Sequence, residues 1–419
     1  MGTVEIAGAT TAQRKDFRGK HVLVVLSRLL FNGLYRLFCF GARRDEVLFF
    51  SRQANHPSED FIALGREFTE RGWQVCYLTK KLSKRSIPSY CPFIVRELYH
   101  LAHCRICFVD RYDPVICLLD FKGTHEDGLA ADIFDEFPTE PLIIQLWHAF
   151  GAFKKFGYQS VDTPEGHDAA NAELFRIHRN YSYVICSGEG AQGAFAEAFR
   201  IPRRRVVPLL RPEYDRLVAM RRHRNRVMPA DGRGERLRIL FAPTLRSAPG
   251  SPRPFVDLYR GDAWRILEEV AWVDWSFHPL EQQGEAAGDI NDLLPRADIV
   301  VTDYSSIIYE AAILRIPVLF YVPDIQDYRL SPGLNIDPAA IVPSIAFEDA
   351  DALIDALLRY DSRRKDSYLA QLDCFSMQSG VVVSGSEDYP QQKGNEGSAT
   401  SALVDFALDA LQASSEVTE

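Results

Sequence analysis

The sequence has no uninterrupted apolar run of the ~20 residues that a bilayer span requires. The nearest approach, His21 to Gly41, is broken by Arg28, Asn32 and Arg36, and no small-residue cleavage site follows it. Neither a spanning helix nor a signal peptide is therefore expected. The chain also lacks a metal-site signature. Its eight cysteines include one CxxC, Cys104 and Cys107, with no second pair at zinc-site spacing. No carboxylate cluster suits a catalytic metal, so metal-free chemistry is expected. Most cysteines lie in apolar runs and read as reduced core residues of a cytosolic protein. There is no internal repeat. The basic stretches lack the interleaved stacking aromatics of a nucleic-acid module, which excludes that class of partner.

What is present is globular. Over 419 residues, 47% are apolar and 25% charged, enough for two domains with substantial cores. The net charge of −9 is unevenly spread. Residues 1–44 carry Arg14, Lys15, Arg18, Lys20, Arg28, Arg36, Arg43 and Arg44 against Glu5 and Asp16. Residues 200–226 are also arginine-rich, against Glu213 and Asp215. Basic patches on an acidic body are suited to holding phosphate groups at chosen places. Within 1–44 the cations alternate with Leu29, Leu30, Phe31, Leu34, Leu37, Phe38 and Phe40, the pattern of an amphipathic helix in a lipid headgroup layer or packed on the protein's own body.

From residue 45 the pattern alternates short apolar strands with helical stretches. Strands are expected at 46–50, 73–78, 105–109, 115–119, 142–146 and 183–186, with a helix over 58–71. An Arg/Pro/Gly-rich stretch at 200–236 reads as an interdomain linker. The pattern restarts with strands at 237–242, 273–277, 299–302 and 317–321 and a helix over 306–314. Continuous apolar runs separated by helices predict parallel sheets covered on both faces. The expected fold class is α/β, with two doubly wound domains and a cleft between them. The expected divisions are a basic amphipathic segment at 1–44, an N-terminal α/β domain at 45–205, a C-terminal α/β domain at 206–375, and a flexible loop with a closing helix at 376–419.

Four motifs sit at strand ends, where open α/β sheets bind ligands. In Thr302-Asp303-Tyr304-Ser305-Ser306, two serines stand where a helix begins, so free N–H groups and the helix dipole favour phosphate, with Glu310 one turn on near a ribose. In Trp147-His148-Ala149-Phe150-Gly151, the imidazole of His148 is placed to accept a proton, Gly151 permits close backbone approach, and Lys154 and Lys155 add positive charge. Ala242-Pro243-Thr244-Leu245-Arg246 and Phe277-His278-Pro279 set a hydroxyl, a guanidinium and a second imidazole at two further strand ends, where Arg246 and His278 can donate hydrogen bonds to phosphate oxygens. Each motif alone also fits an ordinary α/β domain with a capped helix and structural histidines.

Taken in order, these motifs resemble the CDP-glycerol glycerophosphotransferase family of teichoic-acid primases and polymerases, over roughly residues 45–365. Asp324 and Tyr328 also fit that family's pattern. The resemblance implies a GT-B fold, a CDP-alditol used as substrate rather than cofactor, and CMP as the leaving group. It implies a membrane-attached anionic acceptor and a peripheral location on the cytoplasmic membrane face. It further implies that His148 is the catalytic base, with His278 at the reacting phosphates. Arg246, Thr244, Thr302, Asp303, Ser305, Ser306, Glu310 and Lys154 then become substrate contacts. The chain departs from the family at Ala149-Phe150-Gly151, at Pro212-Glu213-Tyr214-Asp215 and at Pro332-Gly333. Those departures leave open a ribitol donor, a sugar transferase or epimerase on the same fold, or a catalytically lapsed membrane scaffold.

Overall fold

The computed structural model describes residues 11–81, 87–121, 141–163, 166, 168–227, 236–244, 255, 258, 262–276, 288–381 and 398–416. Its first half contains β1 (Glu46–Ser51), β2 (Gln74–Thr79), β3 (Ile106–Val109), β4 (Leu142–Gln145), β5 (Tyr183–Cys186) and β6 (Val206–Pro208). The helices of that half are α1 (Thr11–Phe38), α2 (Glu59–Glu70), α3 (Ile87–His103), α4 (Pro114–Leu118), α5 (Ala169–Leu174) and α6 (Gln192–Phe199). All strand pairs are parallel, in the order β2-β1-β3-β4-β5-β6.

After α7 (Glu213–Val227), a second parallel sheet forms from β7 (Leu237–Phe241), β8 (Ala271–Trp275), β9 (Ile299–Thr302), β10 (Val318–Tyr321) and β11 (Ala346–Phe347). Its order is β11-β10-β9-β7-β8. The helices around it are α8 (Asp262–Val270), α9 (Ile290–Leu293), α10 (Ile307–Ile313), α11 (Ile325–Leu330), α12 (Pro338–Ile341), α13 (Ala350–Leu358) and α14 (Lys365–Ser379), and α15 (Ala399–Glu416) closes the chain. Counted within each half, both sheets follow the order 2-1-3-4-5, with the order reversing between their first and third strands. Ligand crevices in such sheets open beyond the carboxyl ends at that reversal.

The near-continuous apolar strands are explained by two-sided burial. Leu48, Phe50, Cys107, Val109 and Ile143 join a core with α3 and α6. Their neighbours Val47, Phe49, Ile106, Phe108 and Ile144 join another with Phe61, Leu64 and Phe68 of α2 and Leu403, Val404 and Ala407 of α15. Each such side chain fully removed from water contributes roughly 1.5–3 kcal/mol. The closing helix therefore returns to the first sheet. Asp215 of α7 fixes its start by accepting from the N–H groups of Ala399 (2.9 Å) and Thr400 (2.9 Å).

Three expectations need correction. The strand expected at 115–119 is α4: Asp113 caps it by accepting from the Val115 and Ile116 N–H groups, and Pro114 opens its first turn. The linker expected at 200–236 holds β6 and α7, and β6 belongs to the first sheet, beyond the boundary expected at 205. Only four cysteines (Cys104, Cys107, Cys117 and Cys186) are buried; Cys39, Cys91 and Cys374 are exposed. The expected closing helix is present, the loop expected from 376 gives way to α14 as far as Ser379, and its residues 382–397 lie outside the described residues.

In α1 two of the three polar interruptions face inward. Arg28 pairs with Asp120 at 2.8 Å, and Asn32 donates to the Leu118 carbonyl and accepts from the Asp120 N–H. The outer face carries an apolar strip of Leu23, Leu26, Leu29, Leu30 and Leu37, each more than half exposed, with Arg36 exposed beside it. Residues 19–38 are long and apolar enough to cross a membrane by length and composition.

Candidate active site

The two loops at the centre of the cleft begin where buried strands end. β4 ends at Gln145, which is fully buried. Its side-chain oxygen accepts from the Trp147 N–H (2.9 Å), and its NH2 group donates to the Arg111 carbonyl (3.2 Å). One amide thus ties the loop after β4 to the loop after β3, next to the reversal point of the first sheet. Trp147 has φ 57°, a left-handed conformation unusual for a bulky residue, and such strain collects at functional sites. Its ring lies against His148 (4.2 Å between centroids) and stacks on Phe156 (4.9 Å).

His148 is solvent-exposed on one side, with the Trp147 ring against it on the other. Loss of water holds its pKa well below the usual imidazole value, and the positive charges of Arg111, Arg211 and Lys154 lower it further. The imidazole is therefore neutral at pH 7 and able to accept a proton. Arg211 is a buried residue that the motifs did not single out. It pairs with Asp60 (2.8 Å) and Glu213 (2.7 Å) and lies over the Phe150 ring at 5.1 Å. Arg111 Nε and Arg211 Nη1 are buried with no hydrogen-bond partner among the described residues. An anionic ligand would supply the missing acceptor. A cavity of about 410 Å³ opens beside Arg111, lined also by Tyr112, Trp147, Lys154, Lys155 and Pro332 among others.

The His148 loop runs onto the second half of the molecule. Ala152 N–H donates to the Ser379 carbonyl (2.7 Å), Lys155 N–H to Gly333 (3.0 Å), and Lys154 forms an antiparallel bridge with Leu334. A Cβ at Gly151 would collide with the Tyr309 ring and the Ser379 carbonyl. The close approach expected at Gly151 is therefore made to α10 and the end of α14. This contact brings the His148 loop against the helix that starts after Ser306.

At the second sheet's reversal point, the loops after β7 and β9 are bonded to each other. Thr302 is fully buried and its hydroxyl donates to the Ala242 carbonyl (2.6 Å). Asp303, also fully buried, accepts from the Thr244 N–H (2.8 Å). Both side chains are turned inward and hold the two loops in register. Tyr304 donates to Asp324 (3.0 Å) and stacks on Tyr328 (3.7 Å), anchoring the turn that presents Ser305 and Ser306. The expected side-chain cap from Ser306 is absent; Ser305 Oγ instead accepts from Ile307 N–H at 3.4 Å. Glu310 faces Arg211, Arg216 and Glu213, and burial followed by repulsion from Glu213 pushes its pKa up to about 8. Arg246 and His278 lie outside the described residues.

A family model described as CDP-glycerol:poly(glycerophosphate) glycerophosphotransferase matches residues 34–378. The teichoic acid ribitol-phosphate primase of Bacillus spizizenii is 26% identical over 361 residues, covering 80% of this chain and 88% of that protein. The teichoic acid glycerol-phosphate primase of Bacillus subtilis is 27% identical over 282 residues, covering 63% and 68%. The solved structure of the wall teichoic acid polymerase TagF superposes with a TM-score of 0.58 at 16% identity, covering 96% of this chain and 99% of that one. That likeness establishes the GT-B-like fold.

Proposed function

The chain belongs to the CDP-glycerol:poly(glycerophosphate) glycerophosphotransferase family, and from that premise we propose that it moves an alditol-phosphate unit from a CDP-alditol onto a membrane-associated, teichoic-acid-like acceptor. CDP-glycerol is the donor of first choice. A terminal acceptor hydroxyl attacks the β-phosphorus, a new P–O bond forms, the bond to the bridging oxygen breaks, and CMP leaves. His148 takes the hydroxyl proton. Arg111, Arg211 and Lys154 face the growing negative charge, and one such preorganised donor is worth about 3 kcal/mol. Bound diphosphate also offsets the positive field on His148 and raises its basicity when the donor is in place.

The observation that carries this reading is the place of His148, just beyond the carboxyl end of β4 on a loop packed against α10 through Gly151, with Arg111, Arg211 and Lys154 near enough to lower its pKa. Ser305 and Ser306, with Thr244, Arg246 and His278, are proposed to hold the donor phosphates, and Glu310 to approach the ribose. The outward apolar strip of α1 is proposed to lie in the cytoplasmic membrane surface, with the basic segment around it meeting anionic headgroups.

CDP-ribitol is the second reading, supported by the 80% coverage of this chain by the ribitol-phosphate primase. Incubating the protein with CDP-glycerol, CDP-ribitol and UDP-sugars, with a lipid-linked acceptor present, separates the readings. CMP release and product mass are predicted to report one alditol-phosphate added. UDP release from a UDP-sugar would overturn the proposal in favour of a sugar transferase or epimerase, and failure to bind any CDP-alditol would favour a lapsed scaffold.

A further inference from the structure

The first sheet carries a second cluster of reactive side chains, and it lies near the amino ends of the strands, away from the loops that form the cleft. Glu46 is the first residue of β1, and Cys76 lies on β2 opposite Leu48. Side chains alternate along a strand, so Glu46, Leu48 and Cys76 project from the same face. That face is covered by α3, which brings His100 over the pair. Glu46 Oε1 is 2.7 Å from His100 Nδ1, and Cys76 Sγ is 3.6 Å from His100 Nε2. One donor atom from each of the three lies within 4.8 Å of the others. Glu46 is buried, while Cys76 and His100 are half-buried and leave an approach from solvent.

We propose that Glu46, Cys76 and His100 form a binding site for one divalent transition-metal ion of the zinc class, separate from the transfer site. The donor set selects that class. A thiolate and an imidazole are poor ligands for magnesium or calcium, which prefer oxygen, and are the usual ligands of zinc. The spacing fits as well: Zn–S and Zn–N bonds of ordinary length at a tetrahedral angle put sulfur and nitrogen about 3.5 Å apart. Ligation requires a thiolate and a neutral imidazole, so the metal displaces the Cys76 thiol proton together with any proton on His100 Nε2. Cys76 Sγ and His100 Nε2 are the donors, while Glu46 holds the opposite ring nitrogen, Nδ1, and orients the imidazole, so water fills the remaining positions. The ion would clip α3 to β2, the edge strand of the sheet, and so reinforce the side of the first domain farthest from β6.

Cobalt(II) is the probe, because thiolate ligation gives it a charge-transfer absorption that oxygen and nitrogen ligands do not. Titrating the full-length protein with cobalt chloride is expected to develop that band to saturation at one equivalent, and zinc chloride to remove it. Cys76→Ser is expected to abolish the band and His100→Gln to weaken binding at least tenfold, while Cys76→Ser keeps the wild-type melting temperature without metal and its transfer activity. Zinc is also expected to protect Cys76 of the unmutated protein from alkylation, as read by peptide mass, and this readout does not depend on a variant folding. A band that survives in Cys76→Ser would assign the metal to another cysteine and overturn the proposal. Equal alkylation of Cys76 with and without zinc would overturn it independently.

Discussion

The carboxyl edges of the two sheets share one strand order but are built from different materials. On the first edge, the groups left facing the cleft are charged or titratable: His148, Arg111 and Lys154, with Arg211 arriving from the segment after β6. On the second edge, the polar side chains nearest the strands are consumed internally. Thr302 bonds to Ala242 and Asp303 to Thr244, so hydroxyls and backbone N–H groups remain to meet a ligand. Identical topology thus supports two tasks. A rigid edge, its two loops bonded to each other, is suited to holding a nucleotide diphosphate in one position. A cationic edge with a neutral imidazole is suited to moving a proton and stabilising charge as it forms.

Arg211 belongs to both edges, so altering it should give the largest effect. It holds buried Asp60, senses Glu310 and faces His148. Arg211→Leu leaves Asp60 buried without its partner, and breaking such a pair costs about 3–5 kcal/mol. A matching loss in denaturant-unfolding free energy is expected, with transfer strongly reduced. Unfolding unchanged within experimental error would mean that the pair does not join the edges as described.

Asp303→Ala should separate the edges more selectively. Losing its bond to the Thr244 N–H is expected to cost about 1–3 kcal/mol of stability. It should weaken CDP-alditol binding, measured by calorimetry, while the pH profile of the residual transfer stays as in the unmutated protein. A shifted pH profile would show that the second edge also sets the proton chemistry.

An effect that depends on pH concerns Glu310. Its folded pKa is raised, to about 8, so the folded state holds the proton more tightly than the unfolded chain does. Stability from this group is full below about pH 4.5, falls as pH rises toward 8, and is level above that. Glu310→Gln removes that slope, so melting temperatures of the two proteins should agree at pH 5 and favour the variant at pH 8. Parallel melting curves across that range would remove Glu310 as the source.

The strand ends and their motifs were readable because four- to six-residue apolar runs stop abruptly at polar clusters, as at Gln145-Leu146-Trp147-His148. The segment 115–119 was misread because a short apolar run is equally strand or helix; the cap at Asp113 and the proline after it were the available signal. Arg211 could not be singled out within an arginine-rich stretch, since its importance comes from Asp60, 151 residues away. The same is true of Thr302 and Asp303: a strand-end hydroxyl and carboxylate look alike in sequence whether they meet a ligand or a neighbouring loop. Arg28 and Asn32 interrupt the apolar pattern of α1 in sequence, but in space both turn toward Leu118 and Asp120. Glu46, Cys76 and His100 converge only through sheet register and the overlying helix, so no spacing announces them.

The division of labour between the edges is tested most directly by measuring single-turnover CMP release and CDP-alditol affinity together in His148→Ala. A proton acceptor on the first edge predicts a loss of about 10²–10⁴-fold in the release rate with the dissociation constant of the donor unchanged. Release at the unmutated rate, or a loss that tracks weakened donor binding one for one, would contradict it.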